Sequence, residues 1–115
     1  MLLLPAIRNA LKNSDLYIID STAFHDNYAH LISLYDQVRV ETGCIMNLDL
    51  QRIAIPTGSS CLQEQRVSNQ INPAEQARWI INGLAFKRIV VESLYDVKAF
   101  RKITDAQVIH VSELM

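Results

Sequence analysis

The sequence predicts an α/β fold. We expect a single small domain over residues 1–115, with a mostly parallel or mixed sheet of about four to five strands and helices on both faces. The chain has 115 residues, which is the size of one typical domain. Half of the residues are hydrophobic and 20% are charged, a composition that can form a core and that excludes an intrinsically disordered chain. Strand-like and helix-like segments alternate, as in βαβ units.

The first half of the chain predicts two helices and two strands. The apolar spacing of residues 4–11 predicts a short helix that ends near Asn13. Residues 16–19 are apolar without interruption, which is typical of a strand inside a sheet. An apolar stripe over residues 28–38 predicts an amphipathic helix, which Gly43 would end. Residues 44–50 then alternate between apolar and polar, which predicts a strand with one face toward water. This strand is expected at an exposed edge of the sheet, where it could pair with another strand.

A long loop is expected between the two halves, at about residues 56–72. Loops of this length are uncommon in compact domains and tend to be functional or mobile. Asn72, Pro73 and Glu75 form a helix start, because Asn caps helices, Pro fits their first position and Glu can return to the cap. The pair Asn82-Gly83 is expected to end this helix.

Two strands and one helix complete the predicted fold. Residues 89–91 are a second strand that is apolar on both faces. Ser93 is placed as the cap of a helix that runs toward Ile103, and the last strand lies around residues 108–111.

Candidate catalytic residues follow the two apolar strands: Asp20 with Ser21, and Glu92 with Ser93. Ligands of open α/β sheets bind beyond the carboxyl ends of the strands, and two carboxylates there could hold Mg²⁺ together with water. The alternative is that each acid or serine only caps the helix that follows it. Carboxylates that converge in a pocket would favour an enzyme, and carboxylates bonded each to the N-terminus of its own helix would favour a binding protein.

The histidines and cysteines predict no metal site, and we expect no cofactor. His25 and His30 are five residues apart, whereas two histidines that share a metal on a helix lie three or four apart. His30 is expected to face solvent, and His110 to lie on the sheet surface. Cys44 and Cys61 are expected to be reduced thiols, as in a cytosolic protein.

The charge balance and the apolar N-terminus indicate a protein partner. The net charge is −1, so no overall field favours nucleic acid or a membrane, and we expect neither as a partner. No segment reaches the roughly 20 apolar residues of a membrane span, which predicts a soluble, cytoplasmic protein. The candidate interaction residues are the apolar ones near the N-terminus and basic ones of the second half: Leu2, Leu3, Leu4, Ile7, Arg88, Arg101 and Lys102.

One segment resembles a known family. The residues Tyr17-Ile18-Ile19-Asp20-Ser21-Thr22, followed by an apolar helix, Gly43 and a new strand, resemble the corresponding segment of STAS domains, the anti-sigma-factor antagonists. The resemblance covers about residues 15–50. It implies a regulatory domain in which Ser21 is phosphorylated at a helix N-terminus.

Three functional hypotheses follow from the sequence. The leading one is a non-catalytic protein-interaction module that acts as a homo-oligomer, with a homodimer expected, or as an adaptor or inhibitor of a larger protein. The first alternative is a metal-dependent or phosphate-handling enzyme that uses carboxylates at the strand ends. The second is the phosphorylatable regulatory domain that the STAS resemblance implies.

Overall fold

The structure, a computed structural model, describes residues 9–20, 28–47 and 73–114. Asn9 and Ala10 are the end of a helix. The elements that follow are the strand β1 (Asp15–Ile18), the helix α1 (Tyr28–Thr42), the strand β2 (Ile45–Met46), the helix α2 (Pro73–Ile81), the strand β3 (Arg88–Val91), the helix α3 (Leu94–Arg101), the strand β4 (Gln107–His110) and a 3₁₀ helix (Val111–Leu114).

The described strands form one parallel sheet. Their order is β2-β1-β3-β4, and each neighbouring pair is parallel. Tyr17 of β1 lies opposite Met46 of β2 on one side and opposite Val90 of β3 on the other, and Val90 lies opposite Ile109 of β4. The predicted α/β fold is confirmed, and the described part of the sheet is parallel rather than mixed.

Helices cover both faces of the sheet, as the sequence predicts. Leu16 and Ile18 pack with residues of α2 and α3, whereas Tyr17 and Ile19 pack with residues of α1 on the opposite face. Consecutive side chains of a strand point to opposite faces, so a strand between two helical layers must be apolar at every position. All four of these side chains are 0% exposed. Burial of one such side chain contributes about 1.5–3 kcal/mol.

The helix boundaries follow the predicted signals. Gly43 has φ 72°, and its N–H donates to the Arg39 carbonyl at 2.9 Å, which ends α1. Gly83 has φ 78° in the turn after α2. At the start of α3, the Ser93 hydroxyl accepts a hydrogen bond from the Tyr95 N–H at 3.3 Å. Glycine suits both positive φ values because it has no Cβ.

The entry to β1 differs from the prediction. The first helix ends at Ala10 and not near Asn13. Asp15 causes the difference, because its Oδ2 accepts a hydrogen bond from the Lys12 N–H at 2.8 Å and closes a turn. The Asp15 side chain also forms an ion pair with Arg88, whose Nε donates to Oδ1 at 2.9 Å.

The second predicted strand is corrected at one position. The alternation predicts that Asn47 faces water, but Asn47 is 0% exposed. It directly follows β2, where its side chain turns toward the end of β1 and is enclosed there. β2 is an outer strand of the described sheet, as expected for an edge.

Some predicted features lie outside the described residues. These are the helix before Asn9, the predicted strand residues 48–50 and the long loop at about residues 56–72. Within the described part of the chain, no helix combines the length and the apolar character needed to cross a membrane.

Candidate functional site

The candidate site lies where the connections of the sheet diverge. The chain leaves β1 toward β2 on one side, and it returns past β1 to β3 on the other side. In open α/β sheets such a reversal leaves a crevice beyond the carboxyl ends of the two central strands, and ligands bind there. Asp20 lies just beyond the end of β1, and Glu92 directly follows β3. The two predicted acids therefore lie at the position where this fold binds ligands.

The Glu92 carboxylate is the centre of a hydrogen-bond network. The hydroxyls of Tyr17 and Tyr35 both donate to its Oε2 at 2.7 Å. The backbone N–H of Asp20 donates to its Oε1 at 2.7 Å. The network joins β1, α1 and β3 through one side chain, and it directs Glu92 away from the start of α3, which Ser93 caps instead.

Beyond the last paired residue of β1, its backbone N–H groups donate to side chains instead of to neighbouring strands. The Ile19 N–H donates to Asn47 Oδ1 at 2.8 Å, and the next N–H, that of Asp20, donates to Glu92. Asn47 follows β2 and Glu92 follows β3, the two neighbours of β1. Successive backbone groups of a strand point to opposite neighbours, so the two side chains extend the sheet on both sides.

Burial and neighbouring charges shift the titration of the groups in the network. Burial is the largest cause that raises the pKa of Glu92 above its ordinary value, and the charge of Asp20 adds a smaller increase. The three hydrogen bonds that Glu92 accepts oppose this change. Burial, and then the charge of Glu92, raises the pKa of Tyr17 and of Tyr35, so both hydroxyls stay protonated and act as donors. Perturbed groups of this kind are common in functional sites.

Asn47 carries a buried donor that the fold does not satisfy. Its side chain is 0% exposed, and its Oδ1 is fixed by the Ile19 N–H. Its Nδ2 has no hydrogen-bond partner among the described residues. A buried donor without a partner costs about 1–3 kcal/mol. An acceptor supplied by a ligand or by its bound water would remove this cost.

His110 completes the row of polar residues at the strand ends. It is the last residue of β4 and lies opposite Val91 of β3. Its Nε2 lies 3.1 Å from the Glu92 carbonyl, and its Nδ1 accepts a hydrogen bond from the Ser112 N–H at 3.1 Å. These contacts select the tautomer with the proton on Nε2, because a carbonyl only accepts. Although His110 was expected only on the sheet surface, its ring anchors the backbone of Glu92.

The structure brings some of the predicted catalytic residues together. Asp20 and Glu92 meet at the carboxyl edge, and the charge of Asp20 acts on Glu92 and Tyr35. Ser93 is the cap of α3, and Ser21 lies outside the described residues. Glu92 is not bonded to the start of the helix that follows it, so capping does not account for its position.

The predicted interaction residues occupy different environments. Arg88 forms the ion pair with Asp15, and its side chain is only 19% exposed. Arg101 Nη2 donates to the carbonyl of Val108 in β4 at 2.9 Å. Lys102 is exposed at the end of α3. Leu2, Leu3, Leu4 and Ile7 lie outside the described residues.

The network includes residues that sequence reasoning did not select. The sequence patterns predict a core position for Tyr17 and Tyr35 and a position on the sheet surface for Asn47 and His110. Asn47 has one feature in common with Glu92 that could have identified it: each is a polar residue that directly follows a strand beside β1. A tyrosine in an apolar stripe gives no such signal, because its ring fits the core whether or not its hydroxyl has a role.

A metal site in this part of the molecule would rest on two carboxylates. Among residues 9–20, 28–47 and 73–114, no group of three histidine, cysteine, aspartate or glutamate side chains could hold a metal ion. Mg²⁺ nevertheless binds proteins through one or two carboxylates when water and substrate phosphates complete its coordination.

Comparisons with protein-family models, with curated proteins and with solved structures found no match for this chain. The function is therefore inferred from the geometry of the site.

Proposed function

We propose that the chain is a divalent-cation-dependent enzyme that acts on a phosphate-bearing substrate, with the cation held between Asp20 and Glu92. The observation that supports this proposal is the direction of the Glu92 side chain. It lies against the end of β1 beside Asp20, at the reversal point of the sheet, and not against its own helix.

The hydrogen bonds of Glu92 indicate which oxygen would contact the cation. A carboxylate offers about four acceptor positions, two on each oxygen. Oε2 already accepts from two tyrosine hydroxyls, whereas Oε1 accepts only from the Asp20 N–H among the described residues. Through its bond to the Asp20 N–H, Oε1 lies at the end of β1. Asp20 is half-buried, so it can also be reached from solvent.

A cation here would relieve an unfavourable arrangement of charges. The charge of Asp20 adds to the burial that raises the pKa of Glu92, and both disfavour the charged form of Glu92. A divalent cation compensates both charges and, when bound, polarises a phosphate oxygen as a Lewis acid. The protein contributes by holding Glu92 rigidly with three hydrogen bonds before substrate arrives.

Thermal unfolding in the presence of Mg²⁺ tests the proposal. At about ten times the dissociation constant, a bound cation adds about 1.4 kcal/mol of stability. This corresponds to a rise in Tm of about 5 °C for a chain of this size. Asp20→Asn and Glu92→Gln should lose the rise. Gln at position 92 keeps an acceptor for the Asp20 N–H and can donate to the tyrosine oxygens.

Asp105→Asn is the matched control, because Asp105 is an exposed acid that precedes β4 at the opposite edge of the sheet. This variant should keep the full rise in Tm. The absence of a rise in the unsubstituted protein, or an equal rise in all variants, would contradict the proposal.

A protein-interaction module is the second proposal, and exposed apolar side chains support it. Val40, Trp79, Leu94 and Tyr95 are 75%, 61%, 71% and 56% exposed. Trp79 of α2 and Leu94 of α3 belong to two helices that pack together on one face of the sheet. Light scattering measures the mass in solution, which should be that of a homodimer for the unsubstituted protein and should fall in Trp79→Ser. A monomer at every concentration of the unsubstituted protein would exclude self-association. The regulatory alternative rests on Ser21 and gains no support from the described residues.

A further inference from the structure

We propose that Tyr17 and Tyr35 set the cation selectivity of this site, so that it prefers Mg²⁺ over Ca²⁺. The inference rests on the proposed function, because it concerns the cation between Asp20 and Glu92. The two tyrosines act as positioning residues through Glu92 and do not touch the cation.

The argument begins with the occupancy of the two carboxylate oxygens. Both tyrosine hydroxyls donate to the same oxygen, Oε2, at 2.7 Å. Two donors fill the two acceptor positions of that oxygen. A cation can therefore reach Glu92 only through Oε1, which makes the carboxylate a monodentate ligand.

The donors hold this arrangement because neither ring is free to move away. Tyr17 is 0% exposed within β1, and Tyr35 is 4% exposed on α1. The rings are in contact, with centroids 6.3 Å apart and planes tilted by 45°. Tyr17 comes from the sheet and Tyr35 from the helix that covers it, so the oxygen is held from two independent elements.

Monodentate binding distinguishes the two cations. Mg²⁺ requires nearly ideal octahedral geometry with short bonds, and it keeps several water ligands. Ca²⁺ takes six to eight oxygen ligands and commonly uses both oxygens of a carboxylate. A site in which one oxygen of Glu92 is blocked provides too few ligands for Ca²⁺ but fits Mg²⁺.

Asn47 is an independent indication that a ligand belongs here. Its Nδ2 is enclosed and has no partner among the described residues, while its Oδ1 is bonded to Ile19, the residue before Asp20. An enclosed donor requires an acceptor, and a phosphate oxygen of a substrate bound to the cation would supply one. Hydrogen bonds from outer residues to metal-bound groups are a common feature of metal sites.

The experiment measures Mg²⁺ and Ca²⁺ binding separately by isothermal titration calorimetry. The proteins are the unsubstituted chain, Tyr17→Phe, Tyr35→Phe and the double variant. In the double variant Oε2 is released, so Mg²⁺ affinity should fall about tenfold, within the range seen when the partners of metal ligands are lost. Ca²⁺ affinity should stay constant or rise, so the affinity ratio changes by about tenfold or more.

Tyr95→Phe is the matched control, because Tyr95 is exposed on α3 and is not part of the network. It should leave both affinities unchanged. The single variants should each change the ratio in the same direction as the double variant, and they provide the test if the double variant does not fold.

The outcomes separate the two proposals. If the unsubstituted protein binds neither cation, the proposed function fails and the selectivity fails with it. If both cations bind and the tyrosine variants weaken them by the same factor, the tyrosines have only a structural role and the selectivity proposal is overturned. Cation binding without any effect of the tyrosines also overturns it.

Discussion

Removal of the Tyr17 or Tyr35 hydroxyl should destabilise the fold by the free energy of one hydrogen bond to the Glu92 carboxylate. Tyr17→Phe and Tyr35→Phe keep the rings, and each removes one hydrogen bond of 2.7 Å to the Glu92 carboxylate. A hydrogen bond to a charged group contributes about 1.5–3 kcal/mol. At about 2 kcal/mol, each single variant should lose about 8 °C in Tm, because 1 kcal/mol corresponds to about 4 °C for a chain of this size.

The double variant tests whether the two hydroxyls share one acceptor. Each single variant leaves Oε2 with one donor, but the double variant leaves it with none. An enclosed acceptor without a partner costs about 1–3 kcal/mol more, so the double variant should lose more than the sum of the single losses. The loss of about 5–7 kcal/mol compares with a total stability of roughly 6–17 kcal/mol for a domain of this length, so the double variant is measurable if the chain lies above the lower limit.

Urea unfolding followed by far-ultraviolet circular dichroism, in EDTA at neutral pH, measures these free energies. Tyr95→Phe removes an exposed hydroxyl on α3 and should change stability by less than about 0.5 kcal/mol. Single variants as stable as this control would refute the network. Strict additivity in the double variant would refute the shared acceptor.

Three further predictions concern pH, the ion pair and the turns. The pKa of Glu92 is raised in the folded state, so the metal-free protein should lose stability as the pH rises from the ordinary glutamate range through that raised value. A series of urea titrations at different pH measures this loss, and Glu92→Gln should abolish it. Arg88→Met leaves Asp15, which is 1% exposed, without its counter-charge and should cost about 3–5 kcal/mol in urea unfolding; a loss below 1 kcal/mol would contradict this. Gly43→Ala should lower Tm more than Gly83→Ala. Both glycines have positive φ, but only a Cβ at position 43 would meet another atom, the Asn13 Cβ at 3.2 Å. Equal melting temperatures of the two variants would argue against this contact.

The sequence predicts the sheet and the helix ends because local patterns determine them. The strands β1 and β3 are apolar at nearly every position, which only a strand between two layers requires. Gly43 and Ser93 act through their own backbone neighbourhood, and the structure places both as predicted. The position of Asp20 and Glu92 at the carboxyl edge also follows from the order of the elements alone.

The parts that the sequence does not predict depend on contacts between distant residues. The Tyr35 hydroxyl bonds to a carboxylate 57 residues away, and the apolar stripe gives no sign of this bond. Asn47 falls at a position that the alternation assigns to water, but the end of β1 recruits its amide. Asp15 resembles a turn residue until Arg88, 73 residues away, is placed beside it.

The most direct test of the central claim locates the cation in the fold. Mn²⁺, which replaces Mg²⁺ at oxygen sites, broadens the amide signals of nearby residues in a ¹⁵N-labelled sample. The amide signals of Asp20 and Glu92 should broaden first. Those of Ser14 and Lys87 at the amino edge should broaden only at higher Mn²⁺ concentrations, because the length of a strand, about 13 Å, separates the two edges. Broadening that begins elsewhere, or that persists in Asp20→Asn, would contradict a cation site at the carboxyl ends of β1 and β3.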